Sequence, residues 1–158
     1  MVSNIVAPSF GEVIEAKREG DYWHVSTFLA VWDNHDQFIP CDCKCLDSIY
    51  KPGQFNLAHM LGKSDKNERW LTVFSADFGP FAVTQISGLV AKRIINHCQI
   101  GYKYKQGQVY GEILLGSRVD ITFPVKDIQL LAAKGDKLQG GLTVIGVYQP
   151  QKKLTFSV

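Results

Sequence analysis

Several residues along the chain are of types that do chemistry, and their spacing decides which chemistry is open to them. Cys41, Cys43 and Cys45 form a C-x-C-x-C run, with Cys98 standing apart. On a strand, alternation would turn the three side chains of the run to one face, whereas a structural zinc site uses wider C-x2-C spacing. The run therefore reads as small buried hydrophobes with no metal site, and the four thiols are expected to be reduced. His24, His35, His59 and His97 could each move a proton near neutral pH. His35 stands close to Asp33 and Asp36, and taken alone reads as a hydrogen-bonded surface residue. Asn67-Glu68-Arg69 offers a planar guanidinium that could grip a phosphate or carboxylate, or equally an ion pair that fastens a loop. Gly116-Ser117 sets a hydroxyl after a residue with no side chain, a dipeptide that means nothing by itself.

The elements that must position these groups are mostly short strands. Apolar and β-branched patterns predict them at Ile5–Val6, Glu12–Ala16, His24–Val31, Cys41–Tyr50, Trp70–Phe74, Phe81–Ile86, Ile113–Leu115, Arg118–Phe123 and Leu142–Tyr148. Glycine and proline turns separate them, so the expected class is all-β, or a β-rich α+β fold. From Ile86 to Ile95 the apolar residues fit either a helical stripe or a hairpin, and Gly88 tips the reading toward strands. Gly101, Gly107 and Gly111 are echoed by Gly135, Gly141 and Gly146, and "APSFGEV" is echoed by "IPCDCKC". Such strand-turn-strand repeats predict a compact barrel or sandwich built from related halves. Residues 56 to 69 form one long polar loop, with a helical turn expected around Leu57–Leu61.

At 158 residues the chain suits one domain, 1–158. A net charge of +2 without any basic run argues against a nucleic-acid partner. No stretch approaches the roughly 20 apolar residues that span a bilayer, and Met1 to Pro8 lacks the marks of a signal peptide. The expected place is the cytoplasm, with the protein soluble or peripheral to a membrane. Oligomeric state is left open, a homo-oligomer included.

Several ordered segments give the chain a resemblance to the phosphatidylserine decarboxylase family. They are "VAPSFGEV", "FLAVWDNHDQFIP" followed by "YKPGQF", "KNERWLTVF" with "VTQISGLVAKRI", and "KQGQVYGEILLGSRVDITFP", the last being the most specific. The tail "AAKGDKLQGGLTVIG" is similar to the family's closing repeat. The resemblance implies self-cleavage between Gly116 and Ser117, which converts Ser117 into a pyruvoyl cofactor, with no metal. It also implies decarboxylation of a serine-headgroup lipid or another small amine-bearing substrate. Scattered aromatics such as Trp23, Trp32 and Trp70 could give peripheral membrane contact, although buried or half-buried core positions are commoner for tryptophan. His35, five residues before Pro40, falls at the family's decarboxylation histidine. Asn67, Glu68 and Arg69 fall at a substrate-binding motif. The first motif lies so near residue 1 that no membrane-docking segment is expected before it.

Two positions depart from the family pattern. The aspartate and second histidine that form the family's proton relay are Phe10 and Phe38 here, and phenylalanine cannot accept a proton. A non-processing, non-catalytic homologue that keeps the scaffold and a ligand or partner site is therefore the alternative reading. A soluble amino-acid decarboxylase with the same cofactor is a third.

Overall fold

The computed structural model describes residues 2–54, 58–59, 61–64, 66–88, 94–113 and 116–151. In chain order the strands are β1 (Ser3–Val6), β2 (Gly11–Glu19), β3 (Tyr22–Leu29), β4 (Asp36–Phe38) and β5 (Cys43–Lys51). A single helical turn, α1 (Leu61–Ser64), precedes β6 (Arg69–Ala76), β7 (Gly79–Ile86), β8 (Ile94–Asn96), β9 (Lys103–Tyr104) and β10 (Val109–Ile113). The chain ends with β11 (Ser117–Pro124), β12 (Ile128–Leu130), β13 (Lys137–Leu138) and β14 (Val144–Tyr148). The fold is thus all-β, as the alternating apolar pattern predicts.

An eight-stranded antiparallel sheet runs β13-β2-β3-β11-β7-β6-β5-β9, and two three-stranded sheets, β1-β14-β12 and β4-β10-β8, complete the architecture. The two small sheets match each other strand for strand, and so do the two ends of the large one. Val6 N–H donates to Pro40 O at 2.9 Å while Phe38 N–H donates to Pro8 O at 2.8 Å, a reciprocal exchange between equivalent positions of the two echoed segments. Gly141 N–H meets Ala7 O just as Gly107 N–H meets Ile39 O, and Gly135 meets Val13 as Gly101 meets Cys45. Even the bulges correspond, between Val13 and Glu15 in β2 and between Cys45 and Asp47 in β5. One half is β1–β3 with β11–β14, the other is β4–β10, and they meet where β11 pairs with β7.

This division places both crossings between the halves side by side. The first runs from Leu29 to Asp36 and the second from Ile113 to Ser117; Leu29 pairs with Ser117 at one end, and Asp36 with Glu112 near the other. The core lies between the sheets, with Phe74 stacked on Phe81 at 5.1 Å and Tyr110 edge-on to Phe74. Strand alternation along β11 turns Val119, Ile121 and Phe123 into it.

Details differ from the sequence expectation. The strand expected at Ile113–Leu115 is β10, which starts at Val109 and has Ile113 as its last residue; positions 114 and 115 lie outside the described residues. The helical turn sits at Leu61–Ser64, later than expected, and Leu57 lies outside the described residues. Ile86 closes β7 and Ile94 opens β8, as the strand reading has it, while positions 89–93 lie outside the described residues.

Candidate active site

Ser117 is the first residue of β11 and is fully buried, with its side chain on the core side of the sheet beside Val119. Among the described residues its Oγ has no hydrogen-bond partner. A buried hydroxyl left unpaired costs roughly 1–3 kcal/mol, so such an atom calls for a purpose. Gly116 before it has φ +62°, the left-handed region, where a residue with a Cβ pays roughly 1–2 kcal/mol. The bond between them therefore joins an unsatisfied nucleophile to a backbone turn that favours glycine.

The carbonyl of Gly116 points at Gly88. A Cβ built on Gly88 would lie 1.7 Å from Gly116 O and 3.3 Å from the Ala58 Cβ, so the carbonyl oxygen occupies the space a side chain would need. Ser87, one residue earlier, is clamped. Its N–H and Oγ both donate to Glu68 O, at 2.9 and 3.1 Å, and its own carbonyl accepts from Asn67 Nδ2 at 2.7 Å. Asn67 and Glu68 are buried, and Tyr50 OH donates to Glu68 Oε2. Arg69 is half-buried, donates through Nε to Asn67 O, and lines an open pocket of about 320 Å³ with Lys51, Pro52 and Lys66. Of the Asn-Glu-Arg run, the Asn67 side chain and the Glu68 carbonyl thus hold Ser87, the Glu68 carboxylate meets Tyr50, and Arg69 faces a basic pocket.

His35 lies on the first crossing. Its carbonyl accepts from Gln37 Nε2 at 2.6 Å and from Ile113 N–H at 3.2 Å, which fastens its backbone to the strand leading into Gly116. A buried amide ladder holds Gln37 in turn: Gln85 Nε2 donates to Gln37 Oε1, and Asn96 Nδ2 donates to Gln85 Oε1, both at 2.8 Å. The His35 Nε2 is buried and, among the described residues, without a hydrogen-bond partner. Phe10 and Phe38 meet ring to ring, centroids 6.0 Å apart, and Phe38 also packs on Gly140 and Gly141. The two positions that the resemblance assigns to the relay are brought together, but as hydrocarbon.

On the other face of β11, Arg118 is 3% exposed and binds Asp120 through two parallel bonds, Nε to Oδ1 at 2.8 Å and Nη2 to Oδ2 at 2.6 Å. His24 Nε2 lies 3.8 Å from the same carboxylate. The long polar loop folds over this face: His59 is edge-on to Phe28, and Leu61 O accepts from Arg118 Nη1 at 3.5 Å. The loop so lies against the rung beside Ser117. Cys41, Cys43, Cys45 and Cys98 are all buried and unbridged, and burial pushes the thiols of Cys43 and Cys98 up to about 12. They behave as the small hydrophobes the sequence predicts. Among the described residues no group of three or more His, Cys, Asp or Glu is arranged to hold a metal.

Sequence reasoning singled out Ser117, Gly116, His35 and the Asn-Glu-Arg run but missed Gly88, Ser87 and the amide ladder. The one signal for Gly88 was a glycine inside an otherwise strand-like run, a mark of close backbone approach.

Comparison with known proteins shows which family the chain is similar to. The family model described as phosphatidylserine decarboxylase matches residues 2–146. A phosphatidylserine decarboxylase proenzyme of Geotalea daltonii is 31% identical over 150 residues, covering 90% of this chain and 70% of the relative. Those of Neisseria gonorrhoeae and Neisseria meningitidis are 34% identical over 148 residues; the chain spans 57% and 56% of their lengths.

Proposed function

Because the chain belongs to the phosphatidylserine decarboxylase family, we propose that it cuts itself between Gly116 and Ser117 and then decarboxylates a serine-headgroup phospholipid. The observation that carries the reading is the buried, unpaired Ser117 Oγ next to a left-handed Gly116. In the cut, Ser117 Oγ bonds to the Gly116 carbonyl carbon as the C–N bond breaks, and the hydroxyl proton ends on the freed amine. Loss of the Cα proton of residue 117 then expels the Gly116 carboxylate. One water replaces the nitrogen, which leaves as ammonia, and a pyruvoyl group remains on the small chain. That group supplies an electron sink for the departure of carbon dioxide from an amine-bearing headgroup. His35 delivers a proton from its ring to the carbon left behind.

Arg69, with Lys51 and Lys66 around its pocket, takes the headgroup's phosphate or carboxylate, while Asn67 and Glu68 support it from within. Arg69 and Arg118 both pair with Ile86, so two strand spacings, about 10 Å, separate their backbones. A lipid substrate puts the protein at a membrane surface in the cytoplasm, and Val31 and Trp32, 59% and 82% exposed on the crossing that carries His35, are the contact. Trp32→Ala should weaken co-sedimentation with phosphatidylserine vesicles; unchanged sedimentation would discard that contact.

Intact mass of the purified protein tests the whole reading. Two chains divided after residue 116 are expected, with one chain for Ser117→Ala and carbon dioxide release lost in His35→Ala without loss of the cut. A parent chain still whole after prolonged incubation would instead favour the non-processing homologue, the reading motivated by the Phe10–Phe38 contact. Release from free serine rather than from vesicles would favour a soluble amino-acid decarboxylase.

A further inference from the structure

We propose that Gly88 is a positioning residue for chain cleavage: its missing side chain forms the seat of the Gly116 carbonyl oxygen, and Asn67 and Glu68 hold that seat in place through Ser87. The proposal rests on the self-processing reading and names what aims the scissile carbonyl. The geometry is restrictive, because a Cβ at position 88 would come within 1.7 Å of Gly116 O and 2.9 Å of its carbon. Any side chain there would push the carbonyl, and with it the carbon that Ser117 Oγ must reach.

The seat is held from three sides. Three hydrogen bonds tie Ser87 to the Asn67-Glu68 segment, and that segment is itself pinned. Gln54 N–H donates to Lys66 O at 2.9 Å, and Glu68 N–H donates to Gln54 O at 3.1 Å. A Cβ on Gly53 would sit 2.5 Å from Lys66 O, so the Pro52-Gly53 turn closes directly onto the same backbone. Tyr50 at the end of β5 anchors the Glu68 carboxylate. The chain of contacts runs from β5 through the Asn-Glu-Arg run to Gly88 and ends on the bond to be cut.

Such positioning matters more here than in a site with a proton relay. Phe10 and Phe38 cannot take the serine's proton, so orientation of the reacting atoms is what remains to favour attack. Alignment within about 3–3.5 Å carries much of the rate of an intramolecular reaction, and a displacement of about 1 Å costs on the order of 10²-fold.

Two measurements on Gly88→Ala and Asn67→Asp test the idea, the latter keeping the side chain's shape while putting an oxygen where the amide donor to Ser87 stood. In the parent background, both should slow the cut by roughly 10²-fold when followed at a temperature where each variant is folded. The second measurement uses the Ser117→Ala chain, in which the substitution creates the sequence's single glycine–alanine peptide bond. With carbonyl-labelled glycine and nitrogen-labelled alanine, that bond gives one carbonyl–amide cross peak. The peak should move on adding Gly88→Ala or Asn67→Asp and stay for the exposed Lys134→Ala. If it does not move, or if it moves while the cutting rate is unchanged, the proposal is overturned. A peak that moves while the parent chain never cuts leaves the seat standing and removes the self-processing reading. Should Gly88→Ala fail to fold, Asn67→Asp alone decides.

Discussion

At the scale of single residues, Phe10 and Phe38 would limit the rate of the proposed self-cleavage. They fall where the resemblance puts the family's relay pair, touch ring to ring, and offer no lone pair for the Ser117 proton. Restoring a carboxylate and an imidazole with Phe10→Asp and Phe38→His together should speed the appearance of the two fragments by roughly 10²- to 10⁴-fold, the usual worth of a general base. Time-resolved denaturing gels measure it, and an unchanged half-time would show that these positions do not serve the serine. Ser117, His35 and the two phenylalanines stand out in the sequence as candidates because each sits inside a contiguous motif. The roles proposed for Gly88 and Asn67 were not legible, because they run through backbone contacts between segments far apart in the chain. No pattern in "TQISGL" states that a carbonyl from residue 116 will rest there.

The elements tell a similar story. Long strands such as β2, β3, β6, β7 and β11 follow from alternation of apolar residues, whereas β4, β8, β9, β12 and β13 are two or three residues long, too short for any period to register. Their pairing comes from the register of their neighbours and from the symmetry of the halves. The buried side of β5 carries Cys43 and Cys45, and burial pushes the Cys43 thiol, like that of Cys98, from its ordinary 9.0 up to about 12. The sign follows directly. An unfolded thiol gives up its proton near pH 9 while the folded one keeps it, so the preference for the neutral form stabilises in full below pH 9 and is lost as pH climbs toward 12. The urea midpoint should therefore fall above pH 9, and fall less steeply in a Cys43→Ala/Cys98→Ala double variant. Parallel slopes would mean that these thiols reach solvent in the folded state.

For the whole molecule, the repeated glycines correctly foretold related halves, but not that the crossings between them would carry His35 and the Gly116-Ser117 bond. That depends on which strands meet across the seam, a long-range matter that turn residues do not encode. The cut would fall on the second crossing and leave β11 paired along its length with β3 and, through five residue pairs, with β7, with β13 on β2 and β14 on β1. Both pieces should thus co-elute at the mass of the whole in gel filtration and part only in denaturant; elution of a separate small fragment would contradict it. The full burial of Ser117 carries one more implication. Ordinary proteolysis at this bond would leave an ammonium ion where no water reaches, at a cost of several kcal/mol, and would tend to drive the new terminus out of the sheet. A terminus that ends in a ketone bears no charge, so the severed strand can stay where it was made.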